Sequence, residues 1–438
     1  MFKLVKKLII MTLLINIIIL SLFSHSAFSA EHTVINQANT VWVLISTALV
    51  MFMTPGLALF YGGMVNKKHT IATIMHSYMK LCVITLIWVL VGYTIAFGDS
   101  VNGLFGNFKY IGFNNLIGDI LDDIAIPHIL FALFQGMFAV LTAAIITGSF
   151  AERVRPRSAL LFTAIWTIIV YAPIAHWIWG SGWIAEIFSP LDFAGGTVVH
   201  INSAIAGLVA ALFIGKRVEY KPHIEAHNIP VTILGASILW FGWFGFNAGS
   251  SLMADELATI AFANTCIAGA AGGISWYIVE IIKSGKSSAI GTISGSIVGL
   301  VAITPAAGFV SPLSSIFIGL LGSPICFWAV SVLKPKLGYD DSLDVFGIHG
   351  IGGIWGAIAT GIFASTAINP DGLNGLIHGN PNLLTSQIFS TIIIIIYSAI
   401  MTYIILYVIN NYIIKLRVST KEEKRGLDNT IHGEEILS

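Results

Sequence analysis

From residue 41 onward the chain alternates long apolar runs with short clusters of glycine, proline and charge. Eleven runs are long enough to cross about 30 Å of hydrocarbon at about 20 helical residues each. They lie near 41–62, 72–97, 128–149, 159–183, 194–214, 229–248, 257–282, 289–308, 313–333, 345–365 and 386–414. The clusters between them break helices, so each run predicts one membrane-spanning helix. An earlier run, Leu8 to Phe23, follows Lys3, Lys6 and Lys7 and precedes the small-x-small sequence Ala27-Phe28-Ser29. That order predicts a signal peptide over residues 1–29, cleaved after Ser29, with an uncleaved first helix as the alternative. The expected organisation is therefore a leader (1–29), a transmembrane domain (30–414) and a charged tail (415–438).

Composition agrees with this division. With 56% hydrophobic and 10% charged residues, the chain reads as a polytopic membrane protein and not as a soluble enzyme. The 43 glycines suit close packing of membrane helices. The formal net charge of zero identifies no partner, and no nucleic-acid interaction is expected. Cys82, Cys266 and Cys326 fall in apolar segments, with no disulfide framework and no CxxC pattern. The placement of charge is more informative. Counting alternate loops and the tail (Lys67 and Lys68, Arg153 to Arg157, Lys216 to Lys221, Lys283 and Lys286, Lys334 and Lys336, Lys415 to Arg425) collects 17 basic residues, against Lys109 alone on the other side. An odd number of spans with this bias predicts an external mature N-terminus and a cytoplasmic tail.

The candidate chemistry lies inside the apolar runs. Asp192 precedes His200 by eight residues, and Asp341 precedes His349 by the same interval. Ionisable groups in hydrocarbon usually mark a substrate, ion or proton pathway. Eight residues at about 1.5 Å each place a histidine about 12 Å from its aspartate, near the membrane centre. Gly207 and Gly356 each follow their histidine by seven residues. This predicts an inverted repeat of five plus five helices with an eleventh appended, a chance echo of two short strings being the alternative. Two facing imidazoles can share a proton and pass hydrogen bonds along a file of small polar molecules. A metal would need a third ligand, and none is placed to serve, so neither metal nor cofactor is expected. His76 and His176 read instead as core residues.

Three aromatic motifs stand out from the lipid-facing background: FQGMF with Phe134, Gln135 and Phe138, HWIWGSGW with Trp179, and WFGFNAGS with Phe246 and Ser250. A cation over an aromatic face gains about 0.5–2 kcal/mol. Stripping an ion of water costs on the order of 20 kcal/mol in the idealised limit. Rings can therefore gather a cation at a mouth but cannot carry it across. A cation that gives up its proton crosses as a neutral molecule, which points to an amine or ammonium.

With these residues in place, the chain closely resembles the ammonium transporter (Amt/MEP/Rh) family and specifically its bacterial Amt branch. The resemblance covers nearly all of the chain past the leader: MTPGLALFYGGMV at 53–65, FQGMFA at 134–139, GSFAERVRPRSALLF at 148–162 and YAPIAHWIWGSGW at 171–183. It continues through LDFAGGTVVHINSAIAGLVAALFIGKR at 191–217, LWFGWFGFNAGS at 239–250, GYDDSLDVFGIHGIGGIWG at 338–356 and LRVSTKEEKRGLDNTIHGEE at 416–435. It implies an ammonium recruitment site at Trp179, Phe138 and Ser250, and a gate of Phe138 stacked on Phe246. It further implies a conduction path lined by His200 and His349. Asp192 matches the family's buried aspartate, and Asp341 its counterpart in the second half, with Asp340 and Asp344 beside it. Gln135 is expected to hold a water or polar link beside the gate. The family mechanism so implied deprotonates ammonium, conducts ammonia and moves the proton separately.

The same resemblance implies a homotrimer in the inner (plasma) membrane and a tail approached by a PII-type nitrogen regulatory protein. Asn66 and His69 depart from the Arg and Asn that relatives often carry, which questions a contact to the tail or to a regulator there. The expected function is ammonium transport, not enzymatic catalysis. The alternatives are a neutral ammonia or carbon dioxide channel, which needs no cation site, and an ammonium sensor acting through a separate partner.

Overall fold

A computed structural model of the protein describes residues 34–221 and 225–436, and the expected leader lies outside these residues. Among the described residues, ten helices are long and apolar enough to cross a membrane: α1 (Gln37–Met64), α2 (Lys67–Phe97), α3 (His128–Phe150), α4 (Pro156–Phe188), α5 (Gly196–Ile214), α6 (Ile229–Ser251), α7 (Glu256–Ser284), α9 (Pro312–Leu337), α10 (Phe346–Phe363) and α11 (Pro381–Ile413). Between α7 and α9 lies a shorter apolar helix, α8 (Ala289–Ile303). Among the described residues the only strands are two-residue pairs in the connection from α2 to α3. The protein is an all-α polytopic membrane protein.

Six of these helices start at a residue whose side chain caps them. Asn36, Asn228, Asp255, Ser288, Ser311 and Asn380 accept a backbone N–H from the first turn of α1, α6, α7, α8, α9 and α11. Such caps satisfy donors that the helix itself leaves unpaired. The eighth apolar run stops being regular helix at Ile303 and does not continue to 308. Pro305 has no N–H to donate, and the chain goes on in tight three-residue turns, Thr304 to Val301 at 3.2 Å and Ala306 to Ile303 at 2.8 Å.

Glycine sets how closely these helices approach. A Cβ on Gly235 of α6 would lie 2.2 Å from the Phe60 nitrogen of α1, and one on Gly299 of α8 would lie 2.0 Å from the Ala268 oxygen of α7. Only a missing side chain allows backbones this near. The polarity is inverted relative to a soluble bundle. Leu44, Phe241, Ile282, Phe317 and Ile396 are exposed, whereas Ser46, Thr142, Asn202, Asn264 and His176 are buried.

At one end of the bundle, several residues that read as solvated loop charges are internal. Arg153 and Arg217 are buried with Asp340. Arg217 binds Asp340 through Nη2 at 2.7 Å and Nε at 2.9 Å, and reaches Glu152 at 3.1 Å. Arg153 donates to the Asp340 carbonyl at 2.5 Å and to Ser342 Oγ at 2.6 Å. Lys334 pairs with Asp344 at 2.7 Å. Burial alone would push the Asp340 carboxyl up, but the Arg217 hydrogen bonds and the Arg153 charge hold it below the ordinary carboxylate range.

The tail docks on this same end. Its short helix α12 (Thr420–Arg425) opens with a reciprocal capping box between Ser419 and Glu422. Arg155 grips Glu422 at 2.9 Å, the Val218 N–H donates to Glu423 at 2.5 Å, and Arg417 bridges to Val154. His69 does contact the tail, since its Nδ1 accepts the Leu427 N–H at 3.2 Å. The departure from the family pattern therefore leaves a tail contact in place. Asn66 turns instead to Glu152, whose carboxylate accepts its N–H at 2.7 Å.

Candidate functional site

Two wide, π-helical turns open α5 and α10, spanning Gly196–Ile201 and Phe346–Gly350, and each carries one of the paired histidines. Such turns place a side chain off the regular helical stripe. An aspartate precedes each turn, but the two do unequal work. The Asp192 carboxylate accepts four backbone N–H groups, from Gly195 at 3.0 Å, Gly196 at 2.6 Å, Thr197 at 2.9 Å and Val198 at 3.2 Å. It closes the positive end of α5. Burial raises its carboxyl above the ordinary range, and the four donors offset part of that. Gly195 reaches this position with φ of +108°, a conformation side chains resist, and a Cβ there would meet Val199 and Trp179. Asp341 accepts only the Phe346 N–H, at 2.7 Å, and its other carboxylate oxygen has no hydrogen-bond partner among the described residues.

Asp192 also ties the aromatic group to the histidine helix. The Trp179 indole N–H donates to its carbonyl at 2.8 Å. The Trp179 ring meets Phe138 edge-on at 6.2 Å, and Phe138 stacks on Phe246 at 4.3 Å with 28° between planes. Both phenylalanines are buried. The Ser250 hydroxyl donates to the Phe246 carbonyl at 2.8 Å, one turn back on its own helix. Its proton is thus committed, and its lone pairs remain to accept. Gln135 sits three residues before Phe138 with its Oε1 buried and unpartnered among the described residues.

Below the stacked rings lies His200, 5.9 Å from Phe246, and then His349, whose Nδ1 is 3.2 Å from the His200 Nδ1. The two imidazoles are nearly parallel, 18° apart with centroids at 5.2 Å. They line a narrow cavity with Met53, Leu57, Phe60, Leu141, Ile145, Leu239, Trp243 and Ile297. Apart from the two rings this lining is apolar and offers little to replace the hydration of an ion.

The structure thus brings together Trp179, Phe138, Phe246, His200, His349 and Asp192. Ser250 joins through its helix, and Asp341 through the α10 turn. Trp243 was not singled out from the sequence. It stacks on His200 at 5.4 Å and 19°, held by its N–H to Thr304 Oγ1 at 2.9 Å. Its place in the WFGWFGF string marks it as one of several aromatic residues there and does not single it out. His176 is the satisfied core residue expected of it, bonded to Ser100 at 2.9 Å and the Ala96 carbonyl at 3.0 Å. His76 packs edge-on against Phe150, and its Nδ1 has no partner among the described residues. A third arrangement also escaped the sequence, in which His128 lies between Asp119, at 2.6 Å, and the Tyr93 hydroxyl. Among the described residues no three His, Cys, Asp or Glu side chains cluster as metal ligands.

An apolar bundle that buries titratable groups around a narrow internal path has the architecture of a membrane transport protein. Residues 41–436 match the Ammonium Transporter Family. The chain is 49% identical over 401 residues to the ammonium transporter of Bacillus subtilis (strain 168), covering 91% of this chain and 98% of that one. It superposes on the crystal structure of Saccharomyces cerevisiae Mep2 with a TM-score of 0.83 at 36% identity, covering 89% of each chain. A structure described as a sensor Amt protein is similar at a TM-score of 0.82 and 30% identity, covering 89% of this chain and 97% of that one. The chain belongs to the ammonium transporter family, whose members move ammonium or ammonia across membranes and are not enzymes.

Proposed function

We propose that this protein recruits ammonium at Trp179, Phe138 and Ser250, strips one proton there, and conducts ammonia past the Phe138–Phe246 pair and along His200 and His349. The released proton crosses separately, so that net charge moves. The contact stack of Phe138 on Phe246, followed at once by two imidazoles in an otherwise apolar lining, carries this reading. A hydrated cation does not fit between stacked rings, and a bare one finds no compensating ligands beyond them. Asp192 supports the recruitment site by fixing the start of α5 and holding Trp179. Asp341 does the lesser equivalent for α10, and Gln135 offers a polar stop beside the gate.

In this reading α8 also spans the membrane, giving eleven helices in a five-plus-five inverted repeat with α11 appended. The aspartate, wide turn and histidine that recur at α5 and α10 support that arrangement. The leader is cleaved, the mature N-terminus lies outside, and the tail-bearing end is cytoplasmic, as the basic loops favour. The protein works as a homotrimer with one pore per subunit. A PII-type regulator approaches the docked tail.

Current across a supported membrane carrying the purified protein tests the reading. A saturable response to an ammonium pulse, none to potassium, and loss in Asp192→Ala are expected. Fast ammonia equilibration in liposomes without current would favour a neutral channel. Ammonium binding without either would favour a sensor, a reading that the similarity to a sensor Amt structure keeps specific.

A further inference from the structure

The last ordered stretch of the tail lies across the start of α2 through groups whose protonation matters. The Asp428 carboxylate accepts the Ile71 N–H at 3.0 Å and the Ala72 N–H at 2.8 Å, capping the helix. Beside it, the buried Leu427 N–H donates to the Nδ1 of His69, which is also buried. This bond requires a lone pair on Nδ1. A charged imidazole carries hydrogen on both nitrogens. Protonating His69 therefore sets a donor against a donor, and leaves the buried Leu427 N–H unpaired at a cost that buried groups rarely bear.

Further along the tail, His432 reaches the same helix near His76 and Lys80. These two lie four residues apart, on one face of α2, and both are buried. Lys80 Nζ, His76 Nδ1 and His432 Nε2 have no hydrogen-bond partner among the described residues. Lys80, His432 and the Val154 backbone face His76. Around His69 the charges are mixed, with Glu152 from the turn after α3, Arg217 and Glu219 from the α5–α6 connection, Glu423, Lys424 and Asp428 from the tail, and Lys68 beside it. At His69 the hydrogen bond therefore sets the outcome.

We propose that the docked tail is a proton-sensitive latch, closed while His69 is uncharged and released when it is protonated. Histidine is the side chain whose ordinary titration spans this range. The same stretch is continuous with α12, which holds the α3–α4 turn through Arg155 and the α5–α6 connection through Val218. Release at Leu427 thus loosens a clasp on three parts of the bundle.

Amide exchange of residues 426–433 in the full-length protein, reconstituted in lipid nanodiscs and corrected for intrinsic rates, tests it. Between about pH 7.5 and about pH 5.5, protection in the wild type is expected to fall about tenfold or more. In His69→Asn the fall should vanish, because the asparagine oxygen accepts the Leu427 N–H without titrating. Unchanged protection in the wild type, or an undiminished fall in His69→Asn, would overturn the proposal. His69→Gln is measured as well, so that one variant whose tail fails to dock still leaves the proposal tested.

Discussion

Trp179 is held at two points, by its N–H on the Asp192 carbonyl and by its edge against Phe138. A ring so fixed presents its face without further ordering, so a cation gains the contact at little entropic cost. Replacing it in Trp179→Leu removes about 0.5–2 kcal/mol of cation–π attraction. The ammonium current should weaken, and discrimination against potassium should drop by about threefold to thirtyfold. Unchanged selectivity on paired ammonium and potassium pulses would remove Trp179 from the site. These residues were legible because aromatic and hydroxyl side chains sit in named strings, FQGMF, HWIWGSGW and WFGFNAGS. Trp243 was not, since nothing in the string distinguishes the tryptophan that stacks on His200 from those that only pack.

At the scale of the helices, the fold depends on backbone contacts that admit no side chain. Gly299 is the tightest case, with the Ala268 oxygen where its Cβ would stand. Gly299→Ala is expected to force α7 and α8 apart and to cost about 1–3 kcal/mol. A lowered unfolding temperature of the detergent-solubilised protein, followed by intrinsic tryptophan fluorescence, would register it. A variant as stable as the parent would mean that the two helices slide without penalty. The helices themselves were legible almost throughout, because apolar runs of this length have one stable form in hydrocarbon. The eighth was read too long. An apolar run continues past Ile303, but apolarity alone does not reveal that Pro305 turns the chain.

The whole molecule is closed at one end by charge as much as by packing. Asp340 joins Arg217 and Arg153, and through them the ends of α3 and α5 and the approach to α10. Removing its charge in Asp340→Asn leaves two buried guanidinium groups short of their counter-ion and should cost about 3–5 kcal/mol. Because the folded carboxyl is held below its usual value, its contribution is complete above about pH 4, the ordinary value for aspartate. It is lost as pH falls through the lower, folded value. The unfolding temperature of the parent should therefore drop more steeply below about pH 4 than that of Asp340→Asn. Parallel profiles would show that the network contributes nothing net. This part of the structure was the least legible. Arg153, Arg217 and Lys334 counted correctly as charges between apolar runs, yet their burial depends on partners up to 189 residues away, as for Arg153 and Ser342. No local pattern carries that distance. The docked tail was hidden for the same reason, and His69 looked like a lost contact until its lone pair met Leu427.

The wide turns that open α5 and α10 have a consequence for insertions and deletions. Each accommodates an extra residue relative to an ordinary helical turn. Deleting one residue from Gly196–Ile201 would remove the wide turn and restore regular winding, so that α5 beyond it keeps its register while His200, inside the turn, changes its position relative to Asp192. His200 would swing off the seam it shares with His349, although every named side chain of the site would still be present. The count of residues between aspartate and histidine is therefore as binding on this chain as the identity of either.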